Sequence, residues 1–288
     1  SPARHRSRQM ADEDKKQKTD HGHGHSHDHA DGHKPAEIVS LGAVTLGGTT
    51  YIIDREGQVE SGKVTEFGVE VVGGTPVTPT AAWLANPDGT EVCDPVKGEG
   101  HDQHWHFNVE PLMPVKKSKF MLKVGDEVAA VDWAKGAAPC NDGILTVFKA
   151  TQHVPYIELK LHGDAGDLEL FLYKTSNVAG WLSQNKPEPF DVPKETVARV
   201  TFLSGTGVPE GGKTVELRVR NMDQNEDEAG TPNMRDGKTN YFIFPGESGQ
   251  DAEWLVGEKN RYVVKVTFEV DGTANECDPF VLVPHEAL

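Results

Sequence analysis

Histidine is concentrated near the start of this chain. Six of its 13 histidines fall within thirteen residues, separated by glycine, serine, aspartate and alanine. Imidazole is a ligand for zinc, copper, nickel and iron, and a short histidine-rich tract is a compositional signal of metal binding. The sequence therefore predicts a metal-binding tract with the ligands His21, His23, His25, His27, His29 and His33.

The segment around this tract has no means of forming a core. Apart from Pro35, no apolar residue larger than alanine lies between residues 19 and 37, so we expect residues 1–36 to be disordered without metal. Because a flexible chain loses conformational entropy when it wraps an ion, binding should be loose and unselective among zinc, nickel and copper. Only neutral imidazole binds, and the free group titrates near ~6.5, so capture should depend on pH. An engineered segment, or a tail without a metal role, is the alternative.

A second candidate site lies inside the body. On a strand, His104 and His106 point to one face and can chelate one ion. His101 could add a third ligand from the preceding loop, and Cys93 or Asp102 a fourth, which would suit zinc or copper. The alternative interpretation is that these are surface histidines, with the aromatic residues between them in the core.

Two other motifs are weaker. Residues 207–214 match the pattern G-x-x-x-x-G-K-[ST], but residues 215–220 alternate as a strand does, so no helix N-terminus would be present to bind phosphate. The acidic loop 221–239 begins like a calcium loop. Glu228 and Met234 occupy the positions where an EF-hand needs glycine and a bidentate acid. Two interpretations of this loop therefore stay open: an irregular calcium site, or an acidic loop that is only solvated.

The charge balance excludes some partners. The 288 residues carry a net charge of −16, and residues 37–288 hold 22 Lys/Arg and 39 Asp/Glu, a balance of −17. An acidic body argues against nucleic acid or an anionic membrane surface as the partner. No stretch approaches the ~18–20 apolar residues of a transmembrane helix. Since Ser1 is not a natural start, we expect a trimmed chain whose targeting segment has been removed.

The body shows the patterns of a β protein. Residues 64–72 alternate apolar and polar, residues 157–173 form a hairpin pattern, and only residues 251–256 could form a helical turn. We therefore predict an all-β fold with two tandem β-sandwich (immunoglobulin-like) domains after a disordered His-rich tail. The predicted boundaries are 1–36 for the tail, 37–137 for the first domain and 138–288 for the second.

The two predicted domains share a pattern. Residues 104–124 and 240–266 each contain an aromatic strand, a loop with proline and a second strand that begins K-x-(K/R)-aromatic. This repeat predicts an ancient duplication. Three cysteines, Cys93, Cys140 and Cys277, leave open either one disulfide with a free thiol or three reduced thiols. No C-x-x-C occurs, so neither a redox dithiol nor a zinc knuckle is indicated.

A His-rich tail before a β-rich body resembles bacterial periplasmic or surface-anchored proteins of metal homeostasis, including efflux adaptors and their small accessory lipoproteins. Residues 156–173 and 240–246 resemble uncharacterised exported proteins with such tails. The chain lacks the long coiled-coil hairpin of the adaptors. The resemblance implies export to the periplasm or cell surface, with lipid anchoring before trimming as a further expectation, and contact with metal. It implies no activity.

Enzyme signatures such as G-x-S-x-G and H-E-x-x-H are absent. His153, His162 and His285 are scattered along the chain, and we interpret each as a structural or surface residue. We predict an exported, non-enzymatic protein that binds Zn, Cu or Ni, with a surface or periplasmic protein as a further candidate partner. The alternative is a structural or protein–protein interaction module of a bacterial cell-surface assembly. An enzyme with a metal site assembled from distant residues is a third hypothesis.

Overall fold

A computed structural model describes residues 37–101, 103–148, 156–174 and 188–288. The six predicted tail ligands, His21 to His33, lie outside the described residues. Within the described ranges the regular secondary structure is almost wholly strand, and the helical segments are short 3-10 turns. The prediction of an all-β, sandwich-type fold is therefore confirmed.

The described residues form twenty strands, numbered here along the chain. Their bounds are β1 (Ile38–Leu46), β2 (Thr49–Glu56), β3 (Thr65–Gly73), β4 (Ala81–Ala85), β5 (Glu99–His101), β6 (His104–Val109), β7 (Lys119–Val124), β8 (Glu127–Val131), β9 (Ile144–Val147), β10 (Tyr156–Leu161), β11 (Leu168–Tyr173), β12 (Val192–Pro193), β13 (Ala198–Gly205), β14 (Lys213–Leu217), β15 (Met234–Arg235), β16 (Lys238–Thr239), β17 (Tyr241–Phe244), β18 (Tyr262–Val270), β19 (Thr273–Glu276) and β20 (Phe280–Leu282). The 3-10 turns are Gly246–Ser248, Glu253–Leu255 and His285–Ala287.

One long sheet runs through the body. Its nine strands lie in the order β17-β11-β10-β9-β1-β2-β3-β6-β5. The pairing of β1 with β9 is parallel and joins Val39 to Leu145 and Ser40 to Thr146. Two further sheets form the opposing layers: one has the order β4-β7-β8, and the other has the order β14-β13-β18-β19 with β20 beside β18. A small separate sheet has the order β12-β16-β15.

Two large apolar cores lie between these layers. The first is built by inward positions of β2, β3, β4, β6 and β7, and Phe67 stacks on Phe120 with ring centroids 4.2 Å apart. The second lies between β10, β11, β13 and β18. Burying each large apolar side chain contributes about 1.5–3 kcal/mol, so these cores are the main source of stability. Each core lies almost entirely on one side of the predicted boundary at residue 137, although the nine-stranded sheet crosses it; the boundaries themselves stay a prediction.

The segment between the two cores is held by buried charged side chains. Arg55 is fully buried and donates hydrogen bonds of 2.7, 3.0 and 2.5 Å to carbonyl oxygens within residues 133–137. Burial lowers the pKa of Arg55 to about 10. Glu158, also fully buried, accepts backbone N–H groups within residues 140–143. Each charge is thus satisfied by backbone, which fixes the course of this connection.

Two local predictions are confirmed. Lys213–Leu217 is a strand that pairs antiparallel with β13, so the residues after the glycine-rich loop do not begin a helix. The phosphate-loop pattern therefore marks a hairpin. Glu253–Leu255 is the helical turn expected within residues 251–256, whereas the 3-10 turns Gly246–Ser248 and His285–Ala287 were not expected.

The cysteines Cys93 and Cys277 are free thiols in different cores. Each sulfur accepts a backbone N–H at 3.1 Å, from Leu84 and from Val266 respectively. Desolvation raises the pKa of Cys277 to about 12 and that of Cys93 above its ordinary value. These two thiols therefore act as buried hydrogen-bond acceptors for the backbone of strands β4 and β18.

The predicted duplication has a counterpart in the topology. The chain passes from β6 in the nine-stranded sheet to β7 in an opposing sheet, and likewise from β17 to β18. The two sequence repeats thus follow the same route between layers. A common origin stays a prediction.

Candidate metal centres

The alternation of β6 sets the direction of its two histidines. Trp105 and Phe107 are buried in the first core, so His104 and His106 lie on the opposite face of the strand. In the sheet register His104 is opposite Glu70, and His106 is opposite Gly68, both on β3. The neighbouring strand therefore brings carboxylates to the histidine face.

The two imidazole rings face each other at close range. The Nε2 atoms of His104 and His106 are 2.9 Å apart, and the rings meet edge to face at 78°. The outer nitrogen of His106, Nδ1, donates to Glu66 Oε1 at 2.5 Å. Nδ1 of His104 lies 3.4 Å from Glu70 Oε2. Because Nδ1 of His106 donates to Glu66, Nε2 of His106 is an acceptor, and the two Nε2 atoms can share one hydrogen or one metal ion.

A half-buried carboxylate completes this face. Asp54 is opposite Gly68, and its Oδ1 lies 2.4 Å from the point that a Cβ of residue 68 would occupy. Gly68 thus lets the carboxylate lie across β3 toward the histidines. Burial raises the pKa of Asp54, against the opposing effects of Arg261 and His104.

The second half of the chain closes the site on one side. Arg261, directly before β18, hydrogen-bonds to Glu70 and lies 3.2 Å from Nδ1 of His104. Burial alone would raise the pKa of Glu70, but its hydrogen bonds to His104 and Arg261 outweigh this and hold the pKa below its ordinary value. A cavity of ≈160 Å³ lies here, lined also by Ile144. We call His104, His106, Glu66, Glu70 and Asp54 the first cluster.

Only part of the predicted ligand set comes together. The backbone of His101 is opposite His104, but the side chain of His101, like all of Asp102, is outside the described part of the structure. Cys93 is a wrong candidate for the fourth ligand, because its thiol lies in the first core, on the other face of the sheet. The described ligands at this site are therefore two histidines.

A different set of histidines meets at the far end of β10. Nδ1 of His162 lies 3.1 Å from Nε2 of His285, and that atom lies 3.1 Å from Oε1 of Glu286. The three potential ligand atoms are all within 4.8 Å of one another. We call His162, His285 and Glu286 the second cluster.

Further carboxylates flank the other side of the His162 ring. Its Nε2 lies 3.1 Å from Glu169 Oε2 and 3.5 Å from Glu228 Oε1. Tyr241 donates to the other oxygen of Glu169. Burial alone would raise the pKa of Glu169, but the hydrogen bonds from His162 and Tyr241 outweigh it and hold the pKa below its ordinary value. Desolvation raises the pKa of Tyr241, so it remains a donor.

No residue spacing in the sequence points to the second cluster. His162 and His285 are 123 residues apart, and the sequence alone predicts that each is a structural or surface residue. The adjacent pair His285-Glu286 is the one local hint, and two ligand types side by side are common on any surface. Within the described ranges, both groups of three potential ligands contain His162.

The acidic loop 221–239 uses its polar side chains internally. Asn221 Oδ1 accepts three backbone N–H groups from residues 223–225, and Asp227 Oδ1 accepts the N–H of Thr231 at 2.8 Å. Glu228 points away to His162 and Lys160. The calcium site stays a prediction that these contacts do not favour.

Comparison with known proteins gives no family. No family model matches the chain, and no curated protein matches it either. Eleven solved chains show some similarity, among them the crystal structure of pullulanase from Anoxybacillus sp. LM18-11. That match has 8% identity and a TM-score of 0.18, and covers 77% of this chain and 25% of the other. The chain thus spans a quarter of that protein's length, and so distant a likeness carries no argument. Among the described residues, no helix has the length and apolar character needed to cross a membrane.

Proposed function

We propose that this protein is a non-enzymatic binder of divalent transition metals of the Zn, Cu and Ni class. His104 and His106 hold the ion in the body, and His21, His23, His25, His27, His29 and His33 serve as collectors. Export to the periplasm or cell surface, implied by the resemblance, belongs to the same proposal. Two imidazoles suit these metals better than they suit calcium or magnesium.

The observation that carries the proposal is the approach of the two Nε2 atoms to 2.9 Å with a carboxylate behind each ring. Two ligand atoms on one tetrahedral ion with bonds of 2.0–2.1 Å are about 3.4 Å apart, so a small ring movement admits the ion. Glu66 fixes the tautomer of His106 that leaves its Nε2 lone pair available, and the ion would replace the hydrogen between the two Nε2 atoms.

The electrostatics of the first cluster also favour a cation. It places the carboxylates of Asp54, Glu66 and Glu70 around the two rings, with the guanidinium of Arg261 as the nearest opposing charge. Because the negative groups outnumber the positive one in a partly buried site, a divalent ion is attracted there.

The test uses the full chain, in which the tail must be separated from the body. We define the tail-silenced chain as the full chain with the six tail histidines replaced by asparagine. Zinc and copper are titrated into the native chain, the tail-silenced chain, and the tail-silenced chain with His104→Asn and His106→Asn. Asn108→Ala, on the same face of β6, is the matched control.

We expect the native chain to bind several ions, the tail-silenced chain to keep stoichiometric binding, and the double histidine variant to lose one of its ions. Asn108→Ala should bind as the tail-silenced chain does. Identical titrations for the tail-silenced chain and its double variant would contradict a site at His104 and His106. If even the native chain binds no more than an unrelated acidic protein, the structural or interaction module becomes the better hypothesis.

A further inference from the structure

We infer that His162, His285 and Glu286 form a second, independent metal centre, with three protein ligands for a zinc-class ion. It shares no residue with the first cluster, so it does not depend on binding there. The first support is distance. The two contacts of 3.1 Å among these ligand atoms lie close to the separation of about 3.4 Å that ligands adopt on a tetrahedral ion.

The second support is the hydrogen count. His162 donates from Nε2 to Glu169, which leaves its Nδ1 as a lone pair directed at His285. Nε2 of His285 then carries a single hydrogen that faces both this lone pair and an oxygen of Glu286. Three ligand atoms thus converge on one hydrogen, and a divalent ion in its place would satisfy all three.

The third support is the shell around these ligands. Glu169 accepts from His162 and from Tyr241, an arrangement that fixes the ring of a metal-binding histidine in known sites. The carboxylate of Glu286 accepts the backbone N–H of Gly163 at 3.2 and 3.0 Å. A Cβ on Gly163 would lie 2.9 Å from Pro284 and 3.1 Å from Glu286, so the close approach of the C-terminal turn requires glycine there.

The fourth support is the exposure of the three side chains, which increases from His162 to His285 to Glu286. The side chains of His162, His285 and Glu286 are 7, 14 and 22% exposed. The site is therefore sheltered, with its carboxylate on the solvent side as a route for the ion. Two imidazoles and one carboxylate suit Zn, Cu, Ni or Fe, and three protein ligands leave one position for water or another ligand. The alternative is a hydrogen-bonded cluster that braces the C-terminal turn without metal.

The experiment titrates Zn²⁺ into the tail-silenced chain, with Co²⁺ absorption as a second readout. His285→Asn removes one ligand, and Glu286→Gln is a milder variant for the case that the first folds poorly. The variant with both His104→Asn and His106→Asn serves as the comparison. We expect about two ions per chain, with the tighter one held by the three-ligand site. Losing a direct ligand should lower the affinity for that ion by about 100-fold or more. Changes to residues that only orient a ligand lower metal affinity by about 10–100-fold, and a direct ligand should matter at least as much. X-ray absorption at one equivalent of zinc should show two imidazoles and at least one oxygen.

The outcomes separate the two sites. Loss of the tighter ion in His285→Asn and Glu286→Gln, but not in the His104/His106 variant, supports the second centre. Unchanged tight binding in both His285→Asn and Glu286→Gln overturns the second centre. An X-ray absorption spectrum without imidazole ligands also overturns it. If only the His104/His106 variant loses an ion, the proposed function stands and the second cluster is a hydrogen-bonded brace.

Discussion

The two histidine clusters differ in how the chain assembles them. His104 and His106 are two residues apart on one strand, and His106 remains 43% exposed. His162 is 7% exposed and meets His285 only because the C-terminal turn packs against the β10–β11 hairpin. Neighbouring residues on a strand can supply two ligands to one ion, whereas a third ligand must come from another element. A visible sequence motif therefore need not mark the place where most potential ligand atoms converge.

The largest expected difference between the clusters is in stability. His162→Ala should lower the free energy of unfolding of the metal-free protein by about 2–3 kcal/mol, because it removes one of the hydrogen-bond donors to the buried Glu169 carboxylate. His106→Ala should lower it by less than about 1 kcal/mol, because His106 and Glu66 are both partly exposed. Chemical denaturation in the presence of a chelator measures both. Equal losses would mean that burial does not distinguish the clusters.

The next prediction concerns the glycine under the first cluster. Gly68→Ala should cost about 1–3 kcal/mol, because its Cβ would displace the Asp54 carboxylate. Gly73→Ala in the same strand is the control, since the nearest atom there is Thr50 Cβ at 3.9 Å. We also expect weaker zinc binding at His104 and His106 in the first variant alone. Denaturation midpoints that match in the two variants would contradict this role of Asp54.

Acid should affect the second cluster through Glu286. Burial alone would raise its pKa, but hydrogen bonds from His285 and Gly163 outweigh this and lower the pKa from 4.5 to about 2. Because the folded pKa is depressed, the stabilisation is complete above about pH 4.5 and is lost as the pH falls toward about 2. Glu286→Gln should therefore flatten the fall of unfolding free energy in that window.

Denaturant midpoints measured in steps from about pH 6 to about pH 2.5 test this. Glu70→Gln is the matching change in the first cluster, where the pKa is lowered in the same direction. An unaltered pH slope in Glu286→Gln would show that this carboxylate does not stabilise the fold.

The smallest expected change in stability comes from Glu66→Gln. The exposed pair with His106 should contribute less than about 0.5 kcal/mol. Zinc affinity at His104 and His106 should nevertheless fall about tenfold, because the carboxylate orients the ring. This is measured in the tail-silenced chain with His285→Asn, so that one ordered site remains. A large loss of stability with unchanged affinity would reverse the roles assigned to Glu66.

Much of the fold was visible in local patterns. The alternation at residues 64–72 predicted β3 and its inward face, and the hairpin of β10 and β11 was read from two strands around a polar turn. The strand β1 was missed. Its register shifts between Ser40 and Gly42, where Ala43 N donates to Asp278, so the two-residue period is interrupted. A bulge of this kind hides a strand from periodicity.

The sequence by itself determined the β class, the shared face of His104 and His106, and the rejection of a phosphate loop. Each of these follows from the two-residue period of a strand, which is a local property. The tertiary structure decided that β1 pairs with β9 in one long sheet, that Asp54 lies over Gly68, and that Glu286 meets His162. These contacts join distant segments, and their geometry depends on how the layers pack, which no local window of sequence contains.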